Sequence, residues 1–213
     1  LKLTEIPISI IPTGTGNDFV KSINVGKTLK QQVDTAINGT IKSLDVGVCN
    51  DRLFINCFGF GFDGKVVEEM ERKGKQFGGH LAYLYTVLRI IATFQEPTAQ
   101  FEIDGETFER KVFLMAINNG TTYGGGFPIT PSAKMDDGLL DICLMNAMPL
   151  GRRFVNLPML QLGKHEKLKE IQMLKTSKVS VKANSQIVAH VDGELIGNPP
   201  FEISVKPNYL KVR

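Results

Sequence analysis

From Pro97 onward the chain consists mainly of short segments in which apolar and polar residues alternate, separated by turns. Such period-two alternation is typical of a strand with one buried face, and the Asp-Gly dipeptides at Asp104-Gly105 and Asp192-Gly193 favour tight hairpin turns. The pattern predicts two strands on either side of the first turn, AQFEI before it and TFERKVFLMAI after it. Further extended segments are predicted at Leu139–Leu144, Lys178–Lys182, Ile187–Val191, Phe201–Val205 and Tyr209–Val212. This part of the chain is therefore expected to be mainly antiparallel β.

The first 39 residues have a different pattern. Ile6 to Ile11 is an apolar run that predicts a buried strand, and a glycine-rich turn and a short helix follow it. Leu29 to Ile37 predicts a second helix that stops at Asn38-Gly39. Beyond Thr40 a hairpin is expected around Asn50-Asp51. Further helices are expected over Phe62–Arg72, Leu81–Phe94 and Pro149–Leu162. We therefore predict an α+β chain in which residues 1–39 end an α/β domain and residues 40–213 form a β-sandwich-like domain with a few helices.

Composition argues against several classes of protein. The net charge of +3 is too small and too dispersed for a nucleic-acid binder, so no nucleic-acid partner is expected. Cys49, Cys57 and Cys143 lack C-x-x-C spacing, which indicates buried reduced thiols rather than a disulfide framework or a zinc site. The most apolar helical segment, Leu81 to Phe94, contains Arg89 and is too short to cross a bilayer. With no secretory signal at the start, a cytoplasmic protein is expected.

The segment Thr13-Gly14-Thr15-Gly16-Asn17-Asp18 is a candidate phosphate-binding loop. Glycines let backbone N–H groups approach a phosphate, and a helix N-terminus adds positive potential there. Asn17 or Asp18 is also suited to cap the helix that follows. An ordinary tight turn between a strand and a helix explains the same residues equally well.

Two further segments carry chemically useful side chains. Tyr123-Gly124-Gly125-Gly126 predicts a loop shaped against a ligand or another backbone, and it leads towards an acidic turn at Asp136-Asp137-Gly138. Adjacent carboxylates with free carbonyls beside them can hold a hard cation, although a solvated acidic turn is the simpler explanation of the residue types alone.

The turn Asp192-Gly193-Glu194 lies between two predicted strands. A carboxylate on a rigid turn beside a cleft can act as a general base. An identical tripeptide occurs at Asp104-Gly105-Glu106, so the three residues by themselves do not assign that role.

Taken in order, four segments resemble the diacylglycerol kinase catalytic family, which includes bacterial lipid kinases and the sphingosine and ceramide kinases. They are PTGTGNDF, FGFGFDGKV, GGGFPITPSAKMDDGLLDICLM and HVDGELIGNPPFEISVKPNYLKV. Such families are similar to NAD kinases in having an α/β nucleotide-binding domain followed by a β-rich domain. The resemblance implies that residues 1–39 end the nucleotide-binding domain, and that residues 40–213 recognise the lipid and carry the catalytic base.

The resemblance also implies residue roles. Glu194 matches the carboxylate that deprotonates the lipid hydroxyl, whereas Glu106 has no such counterpart. Asp63 lies in a matching segment but receives no role. Asp137 is expected to bind Mg²⁺ together with the backbone carbonyls of Lys134 and Leu139. The expected ATP contacts are Gly14, Thr15, Gly16, Asn17 and Asp18.

The function that follows is ATP- and Mg²⁺-dependent phosphorylation of a lipid alcohol, such as diacylglycerol, by a protein peripheral to the inner membrane face. A homodimer is left open, as are two alternatives: a non-catalytic lipid-binding module and an NAD-kinase-like small-molecule kinase. The family's upstream GGDGT-type motif does not occur in this chain, so the chain alone is expected to be inactive and to bind ATP weakly. Arg152, Arg153 and the lysines after Gly163 are candidates for contact with anionic lipid headgroups, or simply for a solvated face.

Overall fold

A computed structural model describes residues 5–14, 16–73, 80–183 and 186–213. Its helices are α1 (Asp18–Ser22), α2 (Leu29–Asn38), α3 (Phe62–Lys73), α4 (His80–Thr93) and α5 (Leu150–Gln161). Its strands are β1 (Lys42–Cys49), β2 (Arg52–Phe54), β3 (Cys57–Gly61), β4 (Thr98–Ile103), β5 (Glu106–Asn118), β6 (Leu140–Asn146), β7 (Ile171–Thr176), β8 (Lys178–Lys182), β9 (Ala189–Val191), β10 (Glu194–Gly197) and β11 (Phe201–Val212).

The strands pair in the order β10-β9-β3-β5-β4-β8-β11-β1-β2, and β6 and β7 extend from β5. Every pair of these strands is antiparallel. The 13-residue strand β5 pairs with β4 along its first half and with β3 and β6 along its second half. The sheet curls around this strand, so that its two parts face each other.

A core of aromatic residues fills the space between the two parts of the sheet. Phe58 and Phe60 of β3 make edge-to-face contacts with Phe201 of β11, at centroid distances of 5.4 and 6.3 Å, and Phe60 also contacts Phe101 of β4 at 6.4 Å. All four rings are almost fully buried. The predicted α+β fold with a sandwich-like antiparallel domain is therefore confirmed.

A second core lies where α3, α4 and α5 cover the other face of β3, β5 and β6. Phe113 of β5 stacks on Phe62 of α3 at 4.7 Å and meets Phe94, just after α4, edge-on at 5.8 Å. Ile90 and Ile91 of α4 are buried in the same cluster. The three helices follow the apolar periodicity expected for them, with ends within one residue of the predicted ones.

The structure corrects some of the strand predictions. In place of a buried strand over Ile6–Ile11, only Ile8 pairs, in a parallel bridge to Val212, and Ile6 and Ile11 are exposed. A strand needs a partner along its length, and β11 supplies one only at its last residues. The segments predicted separately at Phe201–Val205 and Tyr209–Val212 form the single strand β11, and β7 was not predicted.

Residues 5–39 are fastened to the sheet at several points. The N–H of Ile8 donates to Lys211 O at 2.9 Å, and the carbonyl of Ile8 accepts from Arg213 N at 3.0 Å. The Arg213 guanidinium also donates to Ile37 O at the end of α2, whose start carries a capping box between Thr28 and Gln31. The division of the chain at residue 39 stays a prediction.

Candidate functional site

The two identical tripeptides adopt the same local backbone. Asp104 and Gly105 have φ values of 52° and 84°, and Asp192 and Gly193 have 48° and 88°. Positive φ at both central residues is what a type I′ hairpin turn requires, and Asn, Asp and Gly tolerate it best. In each case the glutamate is the first residue of the next strand. Any difference in function must therefore come from the surroundings of the turns.

The surroundings differ at the aspartate. The Asp192 carboxylate accepts hydrogen bonds from the backbone N–H groups of Ile55, Asn56 and Cys57, at 2.8, 3.1 and 2.8 Å. Desolvation raises the pKa of Asp192 above its usual range, while the three N–H donors and His190 act in the opposite direction. Asp104 instead accepts one bond, from the Thr176 hydroxyl at 2.7 Å. The second turn is thus fixed to the start of β3, and the first is not.

A buried polar cluster lies behind the second turn. Gly193 N–H donates to His190 Nδ1 at 3.3 Å, and His190 Nε2 lies 3.4 Å from Asp63 Oδ2. Tyr123 donates its hydroxyl to the same Asp63 oxygen at 2.8 Å. With Nδ1 acting as an acceptor, a neutral His190 carries its proton on Nε2, facing Asp63. Burial, with the adjacent Asp63 carboxylate, raises the pKa of Tyr123 well above its usual range, so the phenol stays a donor.

Glu194 itself is exposed. Within the described residues its carboxylate takes part in no hydrogen bond or ion pair. A carboxylate with no competing partner in the described part of the chain is compatible with the general-base role, which stays a prediction.

The two glycine-rich loops are joined to each other. Asp18 accepts from Gly125 N at 2.8 Å, and the Ser22 hydroxyl accepts from Thr121 N at 2.9 Å. Lys21 forms an ion pair with Asp18 at 2.8 Å, beside Gly126. The predicted nucleotide loop therefore lies against the loop that carries Tyr123.

Some predictions for the nucleotide loop need correction or fall outside the structure. Asn17 precedes α1, but it makes no capping bond, because its side chain closes the loop on Gly14 with bonds of 3.1 and 2.6 Å. Thr15 lies outside the described residues. The roles of Gly14, Gly16, Asn17 and Asp18 in binding ATP stay predictions.

The predicted metal turn, Lys134 to Leu139, is held by other groups. Asp45, which is buried, accepts from Gly138 N at 2.7 Å. Asp137 accepts from Leu139 N at 3.2 Å and forms an ion pair with Lys175 at 3.1 Å. The described residues contain no cluster of three or more His, Cys, Asp or Glu side chains suited to a metal.

The donor types at this turn, one carboxylate and main-chain carbonyls, are those a hard cation accepts. Because Lys175 already pairs with Asp137, a cation would bind there in competition with its ammonium group. Asp137, Lys134 and Leu139 stay predicted ligands of an Mg²⁺ with a structural role.

Two arginines considered for headgroup contact have internal partners. Arg152 makes a bidentate pair with Glu170, with both bonds at 2.9 Å. Arg153 has a largely covered side chain, pairs with Glu96 and donates to Ile91 O and Phe94 O at the end of α4. Arg153 is thus enclosed by its partners, whereas the Arg152 side chain is paired and remains 40% exposed.

A cavity of about 460 Å³ lies between α3, α4 and the segment before β9. Its lining combines the ion-pair network of Lys65, Glu69 and Arg89 with apolar side chains of α4, such as Ile90. None of the predicted site residues lines it. None of the helices in the described residues is both long and apolar enough to span a bilayer.

Sequence reasoning did not assign roles to several residues that build the site. Tyr123 and His190 lay inside quoted motifs, but their link through Asp63 joins positions far apart in the chain. Asp45 and Asn119 are also buried, and Asn119 donates to Asp45 O and Ile55 O at 2.8 and 3.0 Å. For Asp45 the sequence did offer a signal, since a charged residue within the apolar run SLDVGVC indicates a buried carboxylate with a specific role.

The fold places the chain among the β-sandwich-like domains. A crystal structure of a diacylglycerol kinase from Bacillus anthracis str. Sterne is similar over 97% of this chain and 66% of that chain, with a TM-score of 0.71 and 20% identity. At that identity the likeness shows the fold. The profile described as "YegS C-terminal NAD kinase beta sandwich-like domain" matches residues 56–213, and that described as "Diacylglycerol kinase catalytic domain" matches residues 1–49.

The chain therefore belongs to the diacylglycerol kinase and YegS-like lipid kinase family. It is 26% identical over 197 residues to the "Diacylglycerol kinase" of Bacillus subtilis (strain 168), covering 92% of this chain and 65% of that protein. It is 28% identical over 209 residues to a Yersinia enterocolitica protein named "Probable lipid kinase YegS-like", covering 97% of this chain and 69% of that protein. The chain thus spans about two thirds of the length of these relatives.

Proposed function

We propose that the full-length protein is an ATP-dependent lipid kinase that transfers the γ-phosphate to the hydroxyl of a lipid alcohol, such as diacylglycerol, at a membrane surface. The observation that carries this proposal is the Glu194 carboxylate, which has no partner among the described residues, on a turn fixed by Asp192 and His190. Membership in the family supports the same reaction class.

In the proposed reaction, Glu194 accepts the hydroxyl proton as the lipid oxygen attacks the γ-phosphorus. The bond from that phosphorus to the bridging oxygen breaks, and ADP leaves with its electron pair. Phosphoryl transfer depends mainly on positioning and charge stabilisation. Mg²⁺ that accompanies ATP would neutralise charge on the phosphates. In this proposal Lys21 and the main chain of the two joined glycine loops would hold those phosphates.

The test compares the two identical tripeptides in the full-length protein. Glu194→Gln should lower kcat by about 10²- to 10⁴-fold, because it removes the proton acceptor while keeping the shape of the side chain. Glu106→Gln should leave activity almost unchanged, since that turn has the same backbone and, in the part of the chain that the structure describes, no comparable cluster behind it. Transfer of labelled phosphate from ATP to diacylglycerol measures both, and circular dichroism checks the fold.

Equal losses in the two variants, or a wild-type rate for Glu194→Gln, would remove the basis of the proposal. A sphingoid base and NAD are offered to the wild-type protein as alternative acceptors. Phosphorylation of NAD in place of the lipids would favour the small-molecule kinase instead.

A further inference from the structure

One side of α5 is apolar and exposed. Leu150, Phe154, Val155 and Leu162 have 47, 40, 65 and 63% of their surface accessible. Together with the exposed Pro158 they follow the spacing of one helical face. A surface helix normally presents charged and polar groups to water, so a face of this composition is unusual.

The opposite side of α5 is firmly packed. The arginines at positions 152 and 153 lie on this side and are paired with Glu170 and Glu96. Asn156 is buried between them and the second core. The exposure of the apolar face therefore follows from a fixed orientation of the helix, in which its two charged side chains turn away from that face.

Three lysines follow this face directly. Lys164, Lys167 and Lys169 are exposed, and none forms an ion pair within the described residues. The one carboxylate among them, Glu166, is within 3.4 Å of the Ser132 hydroxyl. The segment is held in place by His165, which is buried and has its Nε2 2.9 Å from Ile129 O.

We propose that the apolar face of α5 and these three lysines form a docking surface for an anionic lipid bilayer. The proposal rests on the proposed function, in which the substrate lies in a membrane. An interfacial helix buries apolar side chains at the boundary of headgroups and acyl chains, and lysines beside it bind lipid phosphates. A second copy of the chain fits less well, because the same apolar face would bury the apolar side chains but supply no anionic groups for the three lysines, whereas lipid phosphates supply them.

The docking surface is also connected to the candidate site. Gly163 packs against Pro128, and the carbonyl oxygen of Ile129 is hydrogen-bonded to His165 Nε2. These residues follow the glycine loop that carries Tyr123, which donates to Asp63. A bilayer on α5 would therefore lie beside the segment that continues from the loop carrying Tyr123.

Vesicle sedimentation of the full-length protein tests the surface. The wild-type protein should bind vesicles of equal phosphatidylcholine and phosphatidylglycerol more tightly than pure phosphatidylcholine. Lys164→Ala/Lys167→Ala/Lys169→Ala should lose about fivefold in affinity for each lysine removed. Val155→Asp/Leu162→Asp should abolish binding, and circular dichroism verifies its fold.

Two matched variants serve as controls. Ile41→Asp/Leu53→Asp changes exposed apolar residues elsewhere, and Lys27→Ala/Lys30→Ala/Lys182→Ala removes exposed lysines elsewhere. Both should bind the vesicles as the wild-type protein does.

Three results would overturn the proposal: equal binding to neutral and anionic vesicles, undiminished binding by the α5 variants, or a dimer in solution that Val155→Asp/Leu162→Asp dissociates. Kinase activity on lipid in detergent micelles is measured separately. Its absence from the wild-type protein would count against the proposed function, while vesicle binding still decides the role of the surface.

Discussion

At the scale of single residues, the turn that carries Glu194 is held by groups that are far away in the sequence. The N–H groups at the start of β3 bind Asp192, and Asp63 reaches the turn through His190. Gly59 is what leaves room for this link, because a Cβ there would lie 2.0 Å from Asp63 Oδ2 and 2.4 Å from His190 Nε2. A methyl group at that position must push the carboxylate and the imidazole apart.

Gly59→Ala should therefore destabilise the protein by about 1–3 kcal/mol through overpacking. Urea unfolding measures this change. Gly151→Ala in α5 is the control: a Cβ there meets nothing within 4 Å, and alanine in a helix gains about 0.5–1 kcal/mol over glycine. Equal stability of Gly59→Ala and the wild-type protein would show that the Asp63–His190 contact is not tightly packed.

At the scale of elements, α5 is tied to the end of α4 by one side chain. Arg153 donates to Ile91 O and Phe94 O at 2.9 Å each, and it also pairs with Glu96. Carbonyls at a helix C-terminus have no partners within the helix, so a guanidinium satisfies them well. The side chain of Arg153 is 9% exposed and that of Glu96 is 15% exposed, so the pair is largely desolvated.

Arg153→Ala should cost about 3–5 kcal/mol, because the Glu96 carboxylate loses its charged partner and keeps the Met148 N–H at 3.3 Å, while two carbonyls lose this donor in a largely desolvated place. Arg72→Ala provides the comparison, since its side chain is 69% exposed and Glu69 keeps Arg89 as a partner. A surface pair of that kind contributes at most about 1 kcal/mol. Free energies of unfolding in urea distinguish the two, and similar values would contradict the anchoring role of Arg153.

At the scale of the whole molecule, two cores enclose the three thiols. Cys49 lies in the core between the two parts of the sheet, and Cys57 and Cys143 lie in the core beneath the helices. All three are free and buried, as the sequence predicted. Burial raises the pKa of Cys49 to about 12, and it raises the pKa values of Cys57 and Cys143 as well.

Stability should consequently fall in alkaline solution. A thiol whose pKa is raised by folding stabilises the native state fully below its unfolded pKa of about 8.5, and that stability is lost as the pH rises above it. Each thiol contributes up to about 1.4 kcal/mol per pH unit in that range. The urea midpoint of the wild-type protein should decline between about pH 8 and about pH 10, and that of Cys49→Ala/Cys143→Ala should decline less. Parallel declines would assign the effect to other groups.

Much of the fold follows from local pattern. Period-two alternation and Asp-Gly turns predicted the antiparallel domain, and helical periodicity placed α3, α4 and α5 to within a residue at each end. The strand predicted over Ile6–Ile11 was wrong, because an apolar run does not show whether a neighbouring strand is available to pair with it. β7 was missed because its residues IQMLKT do not alternate strictly between apolar and polar, in line with the partial burial of the strand.

For the candidate site, the sequence determined which residue types and turns were present, and the ordered motifs determined the family. The tertiary structure decided which of two identical turns is held by a buried cluster. Asp104 and Asp192 share one local conformation because short-range sterics fix it. Their difference depends on long-range contacts, with β3, Asp63 and Tyr123 brought to Asp192 and none of them to Asp104. Such contacts arise from the packing of the sheet, which a tripeptide cannot encode.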